Sequence, residues 1–165
     1  MSNVESDQAD KVRKWQQITV ISPYSRELGL RLHGVEPDWC VIKVLPDERL
    51  AVLFCYEPPA LPEVMAQAEA HWLVTPGRAA AASQGLPLAA GARRQTLPYL
   101  AQPAFDELLW ASDLNFVRGE DSLVRALWAG QPFVWHIYPQ HDDAHHAKLQ
   151  AFLDWLDAPA SLRRV

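Results

Sequence analysis

The feature that most constrains the fold of this sequence is an alternation of short apolar runs and helical segments that begins near residue 50. The runs are rich in β-branched and aromatic residues and are bounded by Pro, Gly or polar residues, which is typical of strands. The first and the last run are nearly continuously apolar, which predicts strands buried on both faces. Strands that alternate with helices favour a parallel sheet with helices on both faces, so we predict an α/β fold. The predicted strands are LAVLFCY (50–56), HWLV (71–74), RQTLPYL (94–100), DLNFV (113–117) and PFVWHIY (132–138).

The clearest predicted helix covers residues 120–129. Glu120, Asp121 and Ser122 place two acids and a capping-type hydroxyl in its first turn, and Gly130 then Pro132 end it. Further helices are predicted over 62–70, 77–84, 104–112 and 147–156. The apolar residues expected to face the core are Phe105, Leu108 and Leu109 in 104–112; Leu123, Val124, Leu127 and Trp128 in 120–129; and Leu149, Phe152, Leu153 and Leu156 in 147–156.

The first part of the chain is less regular. Residues 1–14 are polar and predict a loose end, whereas ITVISPY (18–24) and WCVIKVL (39–45) are β-branched runs that predict strands. A chain of 165 residues has enough material for one core. We therefore divide it into an unassigned segment, 1–48, and one α/β domain, 49–165.

Composition and charge argue against several classes of function. The net charge is −5, from 15 basic and 20 acidic side chains without a dense basic run, so we expect no nucleic-acid or membrane partner. No apolar run reaches membrane-spanning length, and residues 1–10 lack the apolar core of a signal peptide. Cys40 and Cys55 cannot make a disulfide framework, and their spacing matches no zinc motif. A cytoplasmic protein is the expectation.

The segment NFVRGEDS (115–122) has the residues expected of an anion-binding turn. The end of a strand, a glycine and the first turn of a helix follow one another, and ligands of parallel α/β sheets bind where strands end. Free N–H groups at a helix start favour an anion, and the guanidinium of Arg118 is suited to phosphate. Ser122 adds a hydroxyl that can donate a further hydrogen bond.

The two acids of this segment leave its role open. Glu120 and Asp121 would repel a phosphate, so in a ligand site they must point elsewhere or meet a sugar hydroxyl or a cationic partner. Alternatively, both acids only complement the helix dipole, and Arg118 makes a surface ion pair. The residues by themselves are compatible with both interpretations.

A second group of candidate residues is aromatic. Phe54 and Tyr56 lie near the end of one predicted strand, and Tyr99, Gln102 and Phe105 lie at a later strand-to-helix turn. Flat rings beside an amide can hold a planar base by stacking on its faces and reading its edge. The alternative is that Phe54 and Phe105 are core residues, which we favour for each residue taken singly.

Histidines near the end of the chain suggest a metal site only weakly. HDDAHH (141–146) contains His141 and His145 at i, i+4 spacing, but zinc sites need three or four well-placed ligands. An acid-rich loop before a helix explains the stretch more simply, so we predict no metal site. We interpret His136, inside a predicted strand, as a hydrogen-bonded core histidine.

Four stretches of the sequence resemble one bacterial family. They are LFCYEPPALP (53–62), LPYLAQPAFDELLWASDLNFVRGEDSLVRALWA (97–129), PFVWHIYPQ (132–140) and HHAKLQAFLDWL (145–156). They look like the C-terminal half of EarP, the protein-arginine rhamnosyltransferase family that modifies elongation factor P. The resemblance implies a two-domain GT-B architecture whose Rossmann-like C-terminal domain binds the nucleotide sugar. It also implies TDP-β-L-rhamnose as the donor, inverting transfer of rhamnose to an arginine of elongation factor P, and no metal or other cofactor.

The resemblance gives roles to positions that the physical argument also selects. Tyr99 stands where the family usually has phenylalanine, which keeps the ring, and Leu123 replaces the phenylalanine that usually follows GEDS, a change expected to affect packing. The implied roles are a thymidine pocket from Phe54, Tyr56, Tyr99, Gln102 and Phe105, diphosphate contacts from Arg118, Asp121 and Ser122, and an active-site carboxylate at Glu120.

The front of the sequence departs from the family. The family's N-terminal domain carries a D-N-Y-G-D-like segment with an essential aspartate, and this sequence contains no such segment. A guanidinium is protonated at neutral pH and needs carboxylates to orient and activate it as a nucleophile. We therefore expect the chain to hold the donor-binding half and to be inactive by itself. The alternative is a non-catalytic remnant that binds nucleotide or a protein partner.

Overall fold

The computed structural model describes residues 28–33, 39–44, 47–140 and 144–163. In these ranges β1 (Leu28–His33) and β2 (Trp39–Val44) form an antiparallel pair. The strands that follow are β3 (Leu50–Leu53), β4 (His71–Val74), β5 (Arg93–Thr96), β6 (Leu114–Arg118) and β7 (Phe133–His136). The helices are α1 (Leu61–Gln67), α2 (Arg78–Ser83), α3 (Gln102–Ala111), α4 (Gly119–Ala129) and α5 (Ala144–Trp155), followed by a 3-10 turn, Ala160–Leu162. No helix in these ranges is long and apolar enough to cross a membrane.

The central sheet is parallel throughout, with the strand order β5-β4-β3-β6-β7. All four residues of β3 and of β4 are buried, as the continuous apolar runs predict for strands covered on both faces. A Rossmann-like α/β sheet with flanking helices is therefore confirmed.

Helices cover both faces of this sheet, and the two-residue period of the strands divides the core between them. Val52 of β3 packs with Leu108 of α3 and Ala126 of α4 on one face. On the other face Leu53 packs with Met65 of α1 and Ala79 of α2. The chain thus builds one half of the sheet with α1 and α2 on one face, and the other half with α3 and α4 on the opposite face.

The order of the strands reverses next to β3. The chain proceeds from β3 outward through β4 to β5, returns to the other side of β3 as β6, and continues to β7. The crevice at the carboxyl ends of β3 and β6 is therefore the topological switch point, where open α/β sheets bind their ligands. The residues that follow β3 and end β6 are the ones that this fold offers to a ligand.

Three predictions about the core are wrong. β7 was expected to be buried on both faces, but among the described strands it pairs only with β6, and Val134 is 45% exposed. In α4, Val124 and Trp128 are exposed, the latter at 66%, because the small side chains of Ser122 and Ala126 face the sheet and turn the larger ones outward. Leu156 was expected to point inward but is exposed, since it follows the last residue of α5.

The N-terminal predictions are tested only in part. The expected strand over 39–45 is confirmed as β2, and Ile42 is fully buried in the core cluster that contains Val52 and Leu108. The predicted loose end, 1–14, and the strand over 18–24 lie outside the described residues. The division of the chain at residue 48 stays a prediction.

Candidate functional site

A cleft of about 610 Å³ opens at the switch point. A wider cleft of about 1010 Å³ lies at the opposite edge, around the amino ends of the strands, but ligands of this fold class bind at the carboxyl ends. We therefore take the smaller cleft as the candidate site. All nine residues singled out from the sequence line it: Phe54, Tyr56, Tyr99, Gln102, Phe105, Arg118, Glu120, Asp121 and Ser122.

Arg118 ends β6, and its guanidinium lies against aromatic residues that follow the neighbouring strand β3. Its Cζ atom is 4.5 Å from the centroid of the Phe54 ring and 5.0 Å from that of Tyr56. Its Nη1 donates to the carbonyl oxygen of Cys55 at 3.4 Å. Within the described residues the guanidinium is thus held by two rings and a carbonyl oxygen rather than by an ion pair.

The turn after Arg118 is fixed by hydrogen bonds with two side chains, those of Trp135 and Ser122. Gly119 has a φ of +67°, a conformation that side chains other than glycine rarely adopt, and its carbonyl oxygen accepts from the indole Nε1–H of Trp135 at 2.8 Å. The hydroxyl of Ser122 accepts from the backbone N–H of Arg118 at 3.1 Å and donates to the carbonyl oxygen of Arg118. The Ser122 hydroxyl therefore stabilises the turn from within.

The two acids of the turn are paired with cations. Glu120 is 66% exposed and accepts from Lys148 Nζ of α5 at 3.0 Å, a bond that lowers the pKa of this carboxyl. Asp121 is 77% exposed and accepts from Arg125 Nε at 3.0 Å, and Arg125 also binds Asp106. Both carboxylates are exposed at the mouth of the cleft.

The aromatic candidates form two kinds of surface. Phe54 and Phe105 meet edge to face with centroids 5.3 Å apart, and both pack partly against the core, as the core interpretation predicts. Both also line the cleft, so the two interpretations are compatible. Tyr99 is exposed, and the amide of Gln102, with its oxygen toward Arg125, accepts from that guanidinium at 2.6 and 2.8 Å.

Four residues beside the cleft were not selected from the sequence. They surround Tyr56: His136 and Tyr138 have ring centroids 5.1 and 5.5 Å from that of Tyr56, Arg78 has its Cζ 4.6 Å from it, and Glu57 binds Arg78 through both carboxylate oxygens. His136 could have been found, because it ends the strand next to Arg118. The pair between Glu57 and Arg78 joins residues 21 apart, which no local pattern indicates.

The histidine stretch gives no metal site in the part of the chain that the structure describes, since no three potential ligands come together there. His145 Nδ1 accepts from the backbone N–H of Gln140 at 3.1 Å, and its ring lies against that of His146. Residues 141–143 lie outside the described ranges.

Comparison with known proteins identifies the family. A family model described as elongation factor P (EF-P) rhamnosyltransferase EarP matches residues 9–164, a range that includes all four stretches of the sequence resemblance. Two curated proteins called protein-arginine rhamnosyltransferase, from Pseudomonas aeruginosa and Pseudomonas putida, are each 47% identical to the chain, over 123 and 128 residues. These matches cover 65% and 68% of this chain but 33% and 34% of the relatives, so the chain spans about a third of their length.

A solved structure supports the same assignment. That structure was solved to explain the structural basis for EarP-mediated arginine glycosylation of translation elongation factor EF-P. It is 41% identical to this chain in sequence, with a TM-score of 0.57. The match covers 68% of this chain and 40% of that one. From the family model, these relatives and the shared fold, it follows that this chain belongs to the EarP family of elongation factor P rhamnosyltransferases.

Proposed function

We propose that the cleft binds TDP-β-L-rhamnose and that this chain is the donor-binding part of an enzyme that transfers rhamnose, with inversion, to an arginine of elongation factor P. The observation that carries the proposal is that all nine residues with implied roles line one cleft at the switch point. The names of the two Pseudomonas relatives support the transfer, and the solved relative supports elongation factor P as the acceptor. We place the reaction in the cytoplasm.

The thymine base is assigned to the aromatic end of the cleft. Phe54 and Phe105 form a fixed corner, and the exposed ring of Tyr99 offers a further stacking face. Stacking on aromatic rings contributes about 1–3 kcal/mol per base. The Gln102 amide beside Arg125 supplies polar groups for the edge of the base.

The diphosphate is assigned to Arg118 and the start of α4. The guanidinium supplies several N–H donors, and the first N–H groups of a helix have no partner within the helix. Asp121 contributes its backbone N–H group while its carboxylate is held by Arg125, and Ser122 contributes by fixing the turn through its hydroxyl. These groups neutralise the charge on the leaving diphosphate, which is why we propose a transfer that needs no metal ion or other cofactor.

Glu120 is assigned as the catalytic carboxylate of this half. It lies in the first turn of α4 next to the proposed diphosphate site, it is ionised, and it already accepts a hydrogen bond from a cationic side chain, Lys148. A carboxylate that binds an ammonium group has the chemistry needed to orient the guanidinium of an acceptor arginine.

Isothermal titration of the chain with TDP tests the binding part of the proposal. We expect saturable binding of TDP. A folded sample that takes up no TDP at about millimolar concentration contradicts the proposal.

A chimera tests the transfer part. This chain replaces the matching third of the Pseudomonas aeruginosa relative, and mass spectrometry of elongation factor P measures the added rhamnose. Transfer by the chimera supports the enzyme. TDP binding without transfer in a folded chimera supports the alternative of a non-catalytic module.

A further inference from the structure

His136 forms a contact at the cleft that the roles above do not use. It ends β7, and the parallel register places it directly opposite Arg118. Its Nδ1 accepts from the backbone N–H of Tyr56 at 3.2 Å, and its ring meets the Tyr56 ring edge to face. A nitrogen that accepts from an N–H carries no proton, so the hydrogen bond requires the neutral imidazole with its proton on Nε2.

We propose that neutral His136 is a positioning residue that holds Tyr56 in the nucleotide cleft, and that protonation of its ring releases Tyr56 and weakens binding of the nucleotide sugar. The inference rests on the proposed function, because it assumes that the cleft takes a nucleotide sugar. His136 does not line the cleft itself, so it acts through Tyr56, which does.

Protonation has two effects on this contact. It converts the Nδ1 acceptor into a donor, so the Tyr56 N–H and the imidazole then face each other with hydrogens. It also adds a positive charge to the imidazole, which the guanidinium groups of Arg78 and Arg118 repel; both groups lie over the neighbouring Tyr56 ring, with Cζ 4.6 and 5.0 Å from its centroid. The first effect removes the bond that holds the Tyr56 N–H, and the second repels the imidazole from Arg78 and Arg118.

The groups that face His136 come from three neighbouring elements and from its own strand end. After β3 lie Tyr56 and Glu57, at the start of α2 lies Arg78, and at the end of β6 lies Arg118; Tyr138 follows β7. Burial lowers the pKa of His136 below its usual value of 6.5, the Glu57 carboxylate opposes this, and the two guanidinium groups add to it. The ring is therefore neutral at pH 7 and becomes charged only in acid.

The experiment measures affinity as a function of pH. The probe is TDP-rhamnose, whose phosphates are both esterified and do not titrate between about pH 5 and about pH 7.5, unlike the terminal phosphate of TDP. We expect the affinity of the unmodified chain to fall about three- to tenfold over this range, the scale of one lost hydrogen bond.

Two variants separate positioning from a general effect of acid. His136→Asn keeps an acceptor near the position of Nδ1 but cannot be protonated, so it should bind as tightly as the unmodified chain at pH 7.5 and show a flat profile. The matched control is His146→Asn, at an exposed histidine on α5, which should keep the full pH dependence. In a Tyr56→Ala background the pH dependence should vanish, because the ring that His136 positions is gone.

The outcomes distinguish the inference from the function on which it rests. A flat profile in the unmodified chain, or an unchanged slope in folded His136→Asn, overturns the role of His136 and leaves the proposed function standing. No binding of TDP-rhamnose by the folded, unmodified chain at any pH overturns the proposed function and the inference with it. Thermal unfolding at each pH verifies that every variant is folded.

Discussion

Replacing Arg118 with alanine tests the site most directly. This guanidinium has a structural role and a proposed binding role, and the free energies expected for the two roles differ. Among the described residues this guanidinium contacts the rings of Phe54 and Tyr56 and donates one long hydrogen bond to the carbonyl oxygen of Cys55. A cation over an aromatic ring contributes about 0.5–1 kcal/mol when it is partly exposed, so Arg118→Ala should lower the free energy of unfolding by about 1–2 kcal/mol. That loss corresponds to about 2–8 °C in melting temperature.

The loss of nucleotide affinity should be larger. A hydrogen bond between a guanidinium and a phosphate contributes about 1.5–3 kcal/mol, which corresponds to an increase of about 10- to 150-fold in the Kd for TDP. The Kd of Arg118→Lys for TDP should fall between those of the unmodified chain and of Arg118→Ala. Lysine keeps the charge but loses the planar fork and the stacking on both rings.

Titration calorimetry and thermal unfolding of the same samples provide the two measurements. Arg49→Ala is the matched control: it removes the same charge from an exposed arginine that lines the cleft at the opposite edge of the sheet. It should change the Kd less than twofold, since charges beyond about 10 Å are screened. An Arg118→Ala variant that loses stability as expected but binds TDP like the Arg49→Ala control would refute the assignment of Arg118 to the diphosphate.

Three further predictions concern single residues. Glu120→Gln in the chimera should abolish most rhamnose transfer to elongation factor P while TDP affinity stays nearly constant; full transfer would remove Glu120 from the mechanism. Trp135→Phe loses the hydrogen bond to the Gly119 carbonyl oxygen, so the free energy of unfolding in urea should fall by about 0.5–1.5 kcal/mol and TDP should bind more weakly. Unchanged affinity would show that this hydrogen bond does not hold the turn in its binding conformation. Burial lowers the pKa of His71 below 6.5, so the unfolded chain binds a proton more readily. The free energy of unfolding should therefore fall as the pH drops below about 6.5, and it should fall less steeply in His71→Leu. An equal pH dependence in the unmodified chain and in His71→Leu would contradict this role of His71.

The fold could be predicted from the sequence wherever a segment is buried on both faces. The apolar runs of β3 and β4 have no other stable placement than the centre of a sheet, and the structure places them there. The ends of elements were harder to predict. The strand expected over 94–100 is only Arg93–Thr96, because Pro98 has no N–H to donate to a neighbouring strand. The exposed face of β7 could not be foreseen, since an edge strand and a central strand carry similar runs.

The members of the site could be predicted, but their contacts could not. Strand ends and the first turn of α4 locate the residues from Phe54 to Ser122 because parallel strands deliver their carboxyl ends to one edge. The partners of the two acids, Lys148 and Arg125, depend on where helices lie in space. The same holds for the ring of Tyr56, whose neighbours come from three separate segments.

The stacking of Arg118 on Phe54 links folding and ligand binding. The two residues are 64 positions apart in the sequence, and they lie at the ends of the adjacent strands β6 and β3. Neither strand can leave the sheet without opening the cleft, so a ligand bound there opposes unfolding of the whole sheet rather than of one loop. At a concentration 100 times its Kd, such a ligand adds about 2.7 kcal/mol to the free energy of unfolding. The difference in the free energy of unfolding with and without nucleotide is thus a measure of affinity. A deletion that removes β3 or β6 should eliminate the fold of the sheet and nucleotide binding together.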